Sequence, residues 1–119
     1  MTALSELKAK GKAAKEASRK MAYLSTEVKN QALRNISTDL KTQKAEILKA
    51  NAVDIKEATA SGLPKVMVDR LQLNDRKIEG MAQDVLSVAA LPDPVGEIFD
   101  MRTMPNGLQI GKKRVPLGV

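Results

Sequence analysis

The sequence predicts a mainly α-helical chain, four to five helices followed by a terminal β-hairpin. Three observations carry that reading. Apolar residues recur at helical spacing up to Ala90, with capping residues at the breaks between runs. Pro92 and Pro94 then end the last helical run, because proline removes a backbone donor and clashes with the preceding turn. Beyond them, Asn106-Gly107 lies between two short stretches of extended character, the strongest short-range hairpin signal.

Each element has its own local reason. Residues 2–22 read as a helix with Leu7, Ala14, Ala17 and Met21 on one face, although Gly11 costs about 1 kcal/mol relative to alanine. Ser25 reads as the N-cap of a second helix, with Glu27 well placed in its first turn and Val28, Leu33, Ile36 and Leu40 as its buried stripe. The pattern lapses at Lys41–Lys44, which predicts a bend or a new helix, and resumes with Ile47, Leu48, Ala52 and Ile55. Gly62 supplies a left-handed C-terminal residue, and Pro64 opens a short helix over 64–71. Asn74 caps the next helix, Leu73 and Ile78 are spaced as a hydrophobic staple, and Ile78, Met81, Val85, Leu86 and Ala89 form its core stripe. Glu97–Thr103 is the first strand of the hairpin, Pro105-Asn106-Gly107 its turn and Leu108–Val115 the return strand.

Composition closes off several chemistries. The 119 residues are enough for one domain. There is no cysteine and no histidine, so these residues offer no thiolate nucleophile, no disulfide, no imidazole base and no Cys/His zinc site. Tyr23 and Phe99 are the only aromatic residues, too few for a base-stacking platform. The net charge is +6 and lies at the ends: residues 1–20 hold six basic and two acidic side chains, and Lys112, Lys113 and Arg114 follow near the other end. A nucleic-acid binder would need those ends to share one face. The longest apolar run, Val85–Leu91, is far short of a membrane span, and no apolar core of a signal peptide follows the basic N-terminus. Neither nucleic acid nor membrane is expected as a partner, and the expected compartment is the cytoplasm.

Four features invite a chemical role and receive a plainer one. Lys8, Lys12, Lys15 and Arg19 fall together on the first helix, opposite its apolar face, and read as a solvated stripe rather than a phosphate or lipid contact. Residues 106–113 superficially match a phosphate-binding loop. They fail at the first position, Asn106 for glycine, and at the last, Lys113 for the hydroxyl that holds magnesium. The carboxylates are scattered beside basic residues, as in Asp69-Arg70 and Asp75-Arg76, without an acid/base pair. Met81 and Met101 read as core fillers. No residue is assigned a catalytic, cofactor-binding or metal-binding role. The almost wholly apolar Val115–Val119, after a hairpin without a third strand, predicts a sheet supplied by further sequence or by another chain, since a lone hairpin is marginal in water.

An ordered series of segments carries a family resemblance. It runs through Ala13–Arg19, Leu24–Glu27, Ala50-Asn51-Ala52, Ser61-Gly62-Leu63, Asp69–Leu73, Arg76–Ala82, Val88–Gly96, Pro105–Leu108 and Arg114–Val119. Together these resemble the N-terminal part of gamma-glutamyl phosphate reductase (glutamate-5-semialdehyde dehydrogenase), of the aldehyde dehydrogenase superfamily. The resemblance implies an α/β parent fold. Residues 1–96 would be the helical N-terminal part of a nucleotide-binding domain, 97–115 an oligomerisation hairpin and 116–119 the start of the nucleotide-binding sheet. It further implies a cytoplasmic enzyme of proline biosynthesis, a homo-oligomer through the hairpin, that reduces L-glutamyl 5-phosphate with NADPH through a cysteine thioester. With no cysteine of their own, these residues are expected to be an inactive fragment of such an enzyme and to fold poorly alone. The alternative is a non-catalytic helical protein that binds a sheet-containing partner through the hairpin edge.

Overall fold

The computed structural model describes residues 2–118. Five helices precede two strands: α1 (Ala3–Met21), α2 (Thr26–Thr42), α3 (Lys44–Ala60), α4 (Lys65–Leu71), α5 (Asp75–Ala89), β1 (Ile98–Thr103) and β2 (Gln109–Lys113). The chain divides into two compact units, residues 27–91 and residues 1–26 with 92–119.

The first unit holds α2 to α5, and its helix ends follow the local chemistry. Asn74 accepts a hydrogen bond from the Lys77 N–H through its side chain, satisfying one of the unpaired donors of the first turn of α5. At the end of α3, Gly62 has φ +79°; its N–H donates to the Thr59 carbonyl and the Leu63 N–H reaches back to the Ala58 carbonyl. This is the paired left-handed closure that glycine makes cheap. The expected break at Lys41–Lys44 is a single residue, Gln43, between α2 and α3.

The core of this unit corrects part of the sequence reading. Among the described residues, Ile78 and Ala82 are the fully buried apolar side chains, and both lie on α5. The inward face of α2 runs through Asn30, Leu33, Ser37 and Leu40, and continues in α3 through Ile47, Asn51, Ile55 and Ala58. Val28 and Ile36, expected in the stripe, lie off this face and are exposed, and so is Ala52. Met81 is also exposed, at 42%. The reason is the close crossing of α2 and α5, where two small residues meet: the buried Ser37 hydroxyl donates to the Ala82 carbonyl at 2.9 Å. Small side chains at a crossing let helices approach closely, and that sets which flank of each apolar stripe is covered. Salt bridges Lys41–Glu79 and Lys44–Asp75, each 2.8 Å, continue the antiparallel pairing at the surface.

Asn51 joins α3 to the end of α4 and to the segment that follows it. Its Nδ2 donates to the Leu71 carbonyl and its Oδ1 accepts from the Leu73 N–H, both at 2.9 Å. The side chain thereby takes over two backbone groups that the end of α4 leaves without helical partners. The Lys77 ammonium donates to the Gln72 carbonyl next to them.

The second unit contains α1 and the hairpin. Thr2 caps α1 by accepting from the Ser5 N–H. The apolar face of α1 is exposed: Leu7 is 69% and Met21 58% accessible, and only Ala14 on it is half-buried. Residues 114–118 carry no regular element, and the expected start of a sheet at 116–119 reaches Val119, which lies outside the described residues.

Candidate interaction surface

The hairpin is the part of the chain with the most developed local geometry. Pro94 to Glu97 form the turn that leads into it, with Gly96 at φ +89°. The Gly96 N–H donates to the Arg114 carbonyl and the Arg114 N–H to the Glu97 carbonyl, both at 2.9 Å, which extends the ladder past the strand end. At the far end, the loop holds Pro105, Asn106 and Gly107. The Gly107 N–H donates to Met104, the Met104 N–H donates to Leu108, and the Asn106 side chain accepts from the Leu108 N–H. Gly107 has φ +85°, so this is the three-residue loop with a left-handed glycine and not a two-residue turn centred on Asn-Gly.

The two strands do not pair evenly. Ile98 opposes Lys113 and Phe99 opposes Lys112, whereas Arg102 opposes Ile110 and Thr103 opposes Gln109. Asp100 and Met101 therefore stand against Gly111 alone, a β-bulge, and Asp100 takes φ +53°. On one face the Phe99 ring has the Arg114 guanidinium 4.7 Å and the Lys112 ammonium 5.9 Å from its centroid. Arg114 also pairs with Glu97 at 2.7 Å, and Lys112 with Asp100 at 3.0 Å. Met101, expected in a core, is 55% exposed and lies across Gly111, where an added Cβ would fall 2.0 Å from its Sδ. Ile98 and Leu108 are exposed as well.

The other candidates resolve plainly. Residues 106–113 form the loop and β2, so the phosphate-loop likeness lacks the helix N-terminus that cradles an anion. Lys8, Lys12, Lys15 and Arg19 are exposed on α1. Glu6, Glu16, Glu27, Asp75, Glu79, Glu97 and Asp100 form surface ion pairs. Among the described residues, no group of three or more Asp, Glu, His or Cys side chains could hold a metal ion, and no helix is long and apolar enough to cross a membrane. One ion pair shifts both of its members. The hydrogen bond and charge of Lys44 lower the Asp75 pKa, and Asp75 raises that of Lys44.

The apolar surface left open is large. Leu4, Leu7, Met21, Val66, Met67, Val88, Leu91, Val115 and Leu117 are among the exposed side chains. Periodicity could mark these residues as apolar but not what covers them. Asn51, Ser37 and Asp100 were not singled out for the roles they play here. Polar residues at helical phase with Leu33 and Ile47 were the available signal for the first two, and Gly111 inside a strand for the third.

No protein-family profile matches the chain. Individual relatives do. A gamma-glutamyl phosphate reductase of Dehalococcoides mccartyi is 55% identical over 117 residues, 98% of this chain and 28% of that protein. One from Caldanaerobacter subterraneus is 53% identical over 96% of this chain and 28% of its own length. Among solved structures, the gamma-glutamyl phosphate reductase of Thermotoga maritima matches with a TM-score of 0.87 at 39% identity, over 93% of this chain and 27% of that one. The Saccharomyces cerevisiae enzyme matches with a TM-score of 0.82 at 32% identity, over 88% and 27%. The chain thus spans little more than a quarter of the length of the relatives it matches. In sequence over nearly its whole length, and in fold, the chain is similar to an N-terminal segment of gamma-glutamyl phosphate reductase, a protein of aldehyde-dehydrogenase-like fold.

Proposed function

We propose that these residues serve as the N-terminal segment of an oxidoreductase of proline biosynthesis that reduces L-glutamyl 5-phosphate with NADPH to L-glutamate 5-semialdehyde and phosphate. The observation that carries this reading is the 55% identity over 98% of the chain, joined to a TM-score of 0.87 with a solved reductase. The reading makes residues 1–96 part of the nucleotide-binding domain, 97–115 an oligomerisation arm and 116–119 the entry to the nucleotide-binding sheet, in a cytoplasmic homo-oligomer.

The residues described do not fit the nicotinamide cofactor. The one glycine-containing stretch with a phosphate-loop look, 106–113, lies in a hairpin and not between a strand and a helix N-terminus. The chain has no cysteine, so a thiolate-dependent displacement of phosphate falls to residues outside these 119. The segment's share in the reading is structural. The unit of α2 to α5 supplies a packed helical body, and the hairpin supplies a pair of strands with exposed apolar side chains.

The first test is the intact mass of the protein as its source cell makes it. The expected mass is several-fold above 12.9 kDa. Purified at that size, it should oxidise NADPH only when glutamyl phosphate is supplied, and thiol alkylation should abolish the activity. A mass of 12.9 kDa would leave the reductase reading as ancestry only. The open edges of a two-stranded sheet would then favour the second reading, a non-catalytic protein that binds a sheet-containing partner.

A further inference from the structure

The loop at 105–107 and the Gly96–Arg114 contacts tie both ends of the hairpin, and between them β1 has six residues against five in β2, so one residue of β1 must bulge and the side chains decide where. The bulge places Asp100 at φ +53°, a region that side chains rarely adopt and in which Asp and Asn are among the better-tolerated residues. Three contacts converge on this one irregularity. Lys112 pairs with Asp100 on one face, Met101 lies across Gly111 on the other, and Gly111 leaves room for it only because it has no Cβ. Phe99, flanked by Arg114 and Lys112, packs immediately before the shift.

We propose that the Asp100–Met101 bulge opposite Gly111 is a register lock that presets the shape of the hairpin before it meets any partner. A strand that slips by one residue turns every side chain to the other face, and a flat two-stranded ribbon exposed on both faces has little burial to prevent it. The tied ends leave one extra residue to place along β1, and the bulge fixes where it sits and so the register of each half of the strand pair. A slip would carry Gly111 from under Met101, put a side chain in that place and separate Asp100 from Lys112. The lock also makes the two edges unequal. Arg114 points its N–H and C=O toward β1, so strand alternation turns those of Gln109, Gly111 and Lys113 outward at regular spacing. The bulge breaks the same alternation on the outer edge of β1 between Phe99 and Arg102. An irregular edge resists in-register strand addition.

The lock stands on the hairpin geometry alone; its use in assembly rests on the oligomerisation-arm reading above. The test compares Asp100→Gly, Asp100→Asn and Asp100→Val in the complete protein by NMR. In the wild type, cross-strand contacts Ile98–Lys113 and Thr103–Gln109 should coexist. The Gly and Asn variants should keep both, since each tolerates a positive φ, and the Asn variant shows that the charge is secondary. The Val variant should lose one contact and exchange its Ile110 and Lys112 amides roughly tenfold faster, with signals from residues 27–91 unchanged. A Val variant that retains both contacts, or a wild type with a single uniform register, overturns the lock. Sedimentation of the complete reductase carrying the same variants separates the two readings. Weaker assembly for Val alone supports use of the lock in assembly. Unchanged assembly, with the NMR result as expected, refutes the arm reading and leaves the lock standing.

Discussion

The helical unit of residues 27–91 and the hairpin are held by different kinds of interaction. In the helical unit, the decisive contacts join residues far apart in sequence: Ser37 with Ala82, Lys41 with Glu79, Lys44 with Asp75, and Asn51 with the segment 71–73. In the hairpin, the ladder and cross-strand partners lie within residues 94–114, and order comes from turns, backbone ladder and cross-strand pairs. The first unit depends on burial and on buried polar groups finding partners. The second depends on a few backbone conformations. A substitution that hurts one should leave the other almost untouched, and this contrast can be broken experimentally.

The largest effect is expected at Ile78, fully buried on α5. Ile78→Ala should cost about 2–5 kcal/mol through lost transfer energy and the cavity left behind. It should raise amide exchange across α2 and α5 while hairpin signals stay in place. Hairpin signals that vanish with it would refute the separation. Because so little of the chain is fully buried, the isolated 119 residues should melt broadly by far-ultraviolet circular dichroism. A sharp cooperative transition would contradict that expectation.

Asn51→Ala comes next. It strips the Leu71 carbonyl and the Leu73 N–H of their partner, which should cost about 1–3 kcal/mol. Faster exchange confined to α3, α4 and the 71–73 segment would mark the effect. Gly107→Ala should cost about 1–2 kcal/mol by forcing an alanine to φ +85°, with the loss confined to the hairpin. Asn74→Ala should cost about 1 kcal/mol by removing the cap of α5, read as fraying of its first turn.

The smallest effect belongs to Lys44–Asp75. Asp75 has a lowered pKa, so its contribution is present above the ordinary aspartate range and is lost as pH falls through the lowered value. Lys44 has a raised pKa, so its contribution is complete below its ordinary value and is lost as pH rises through the raised one. Both groups are exposed, so the pair should barely move the melting temperature. A carboxyl NMR titration of Asp75 should nonetheless show a midpoint below that of an ordinary aspartate, and Lys44→Met should return it to the ordinary range.

Local chemistry made most element ends readable. Asn74, Gly62, Pro64, Pro92 and Gly107 act through their own backbone or through a neighbour within three residues, and each stands where its residue type predicts. The order of relatedness was readable too, because a series of short segments survives at 55% identity. Apolar periodicity was a weaker guide to burial. Leu7, Met21, Val28, Ile36 and Met81 carry the right spacing and are exposed, since a stripe states only that a residue is apolar.

Whether such a stripe is covered was decided by tertiary structure. The close crossing at Ser37 and Ala82 selects one flank of α2 and of α5 and leaves the others open. The bulge belongs to the same class. Nothing local demands that Asp100 adopt a positive φ; the need arises only when Met101 and Gly111 are brought to opposite strands. Caps and turns are written in sequence because their partners are neighbours along the chain. Burial and register are not, because their partners arrive only when the chain folds.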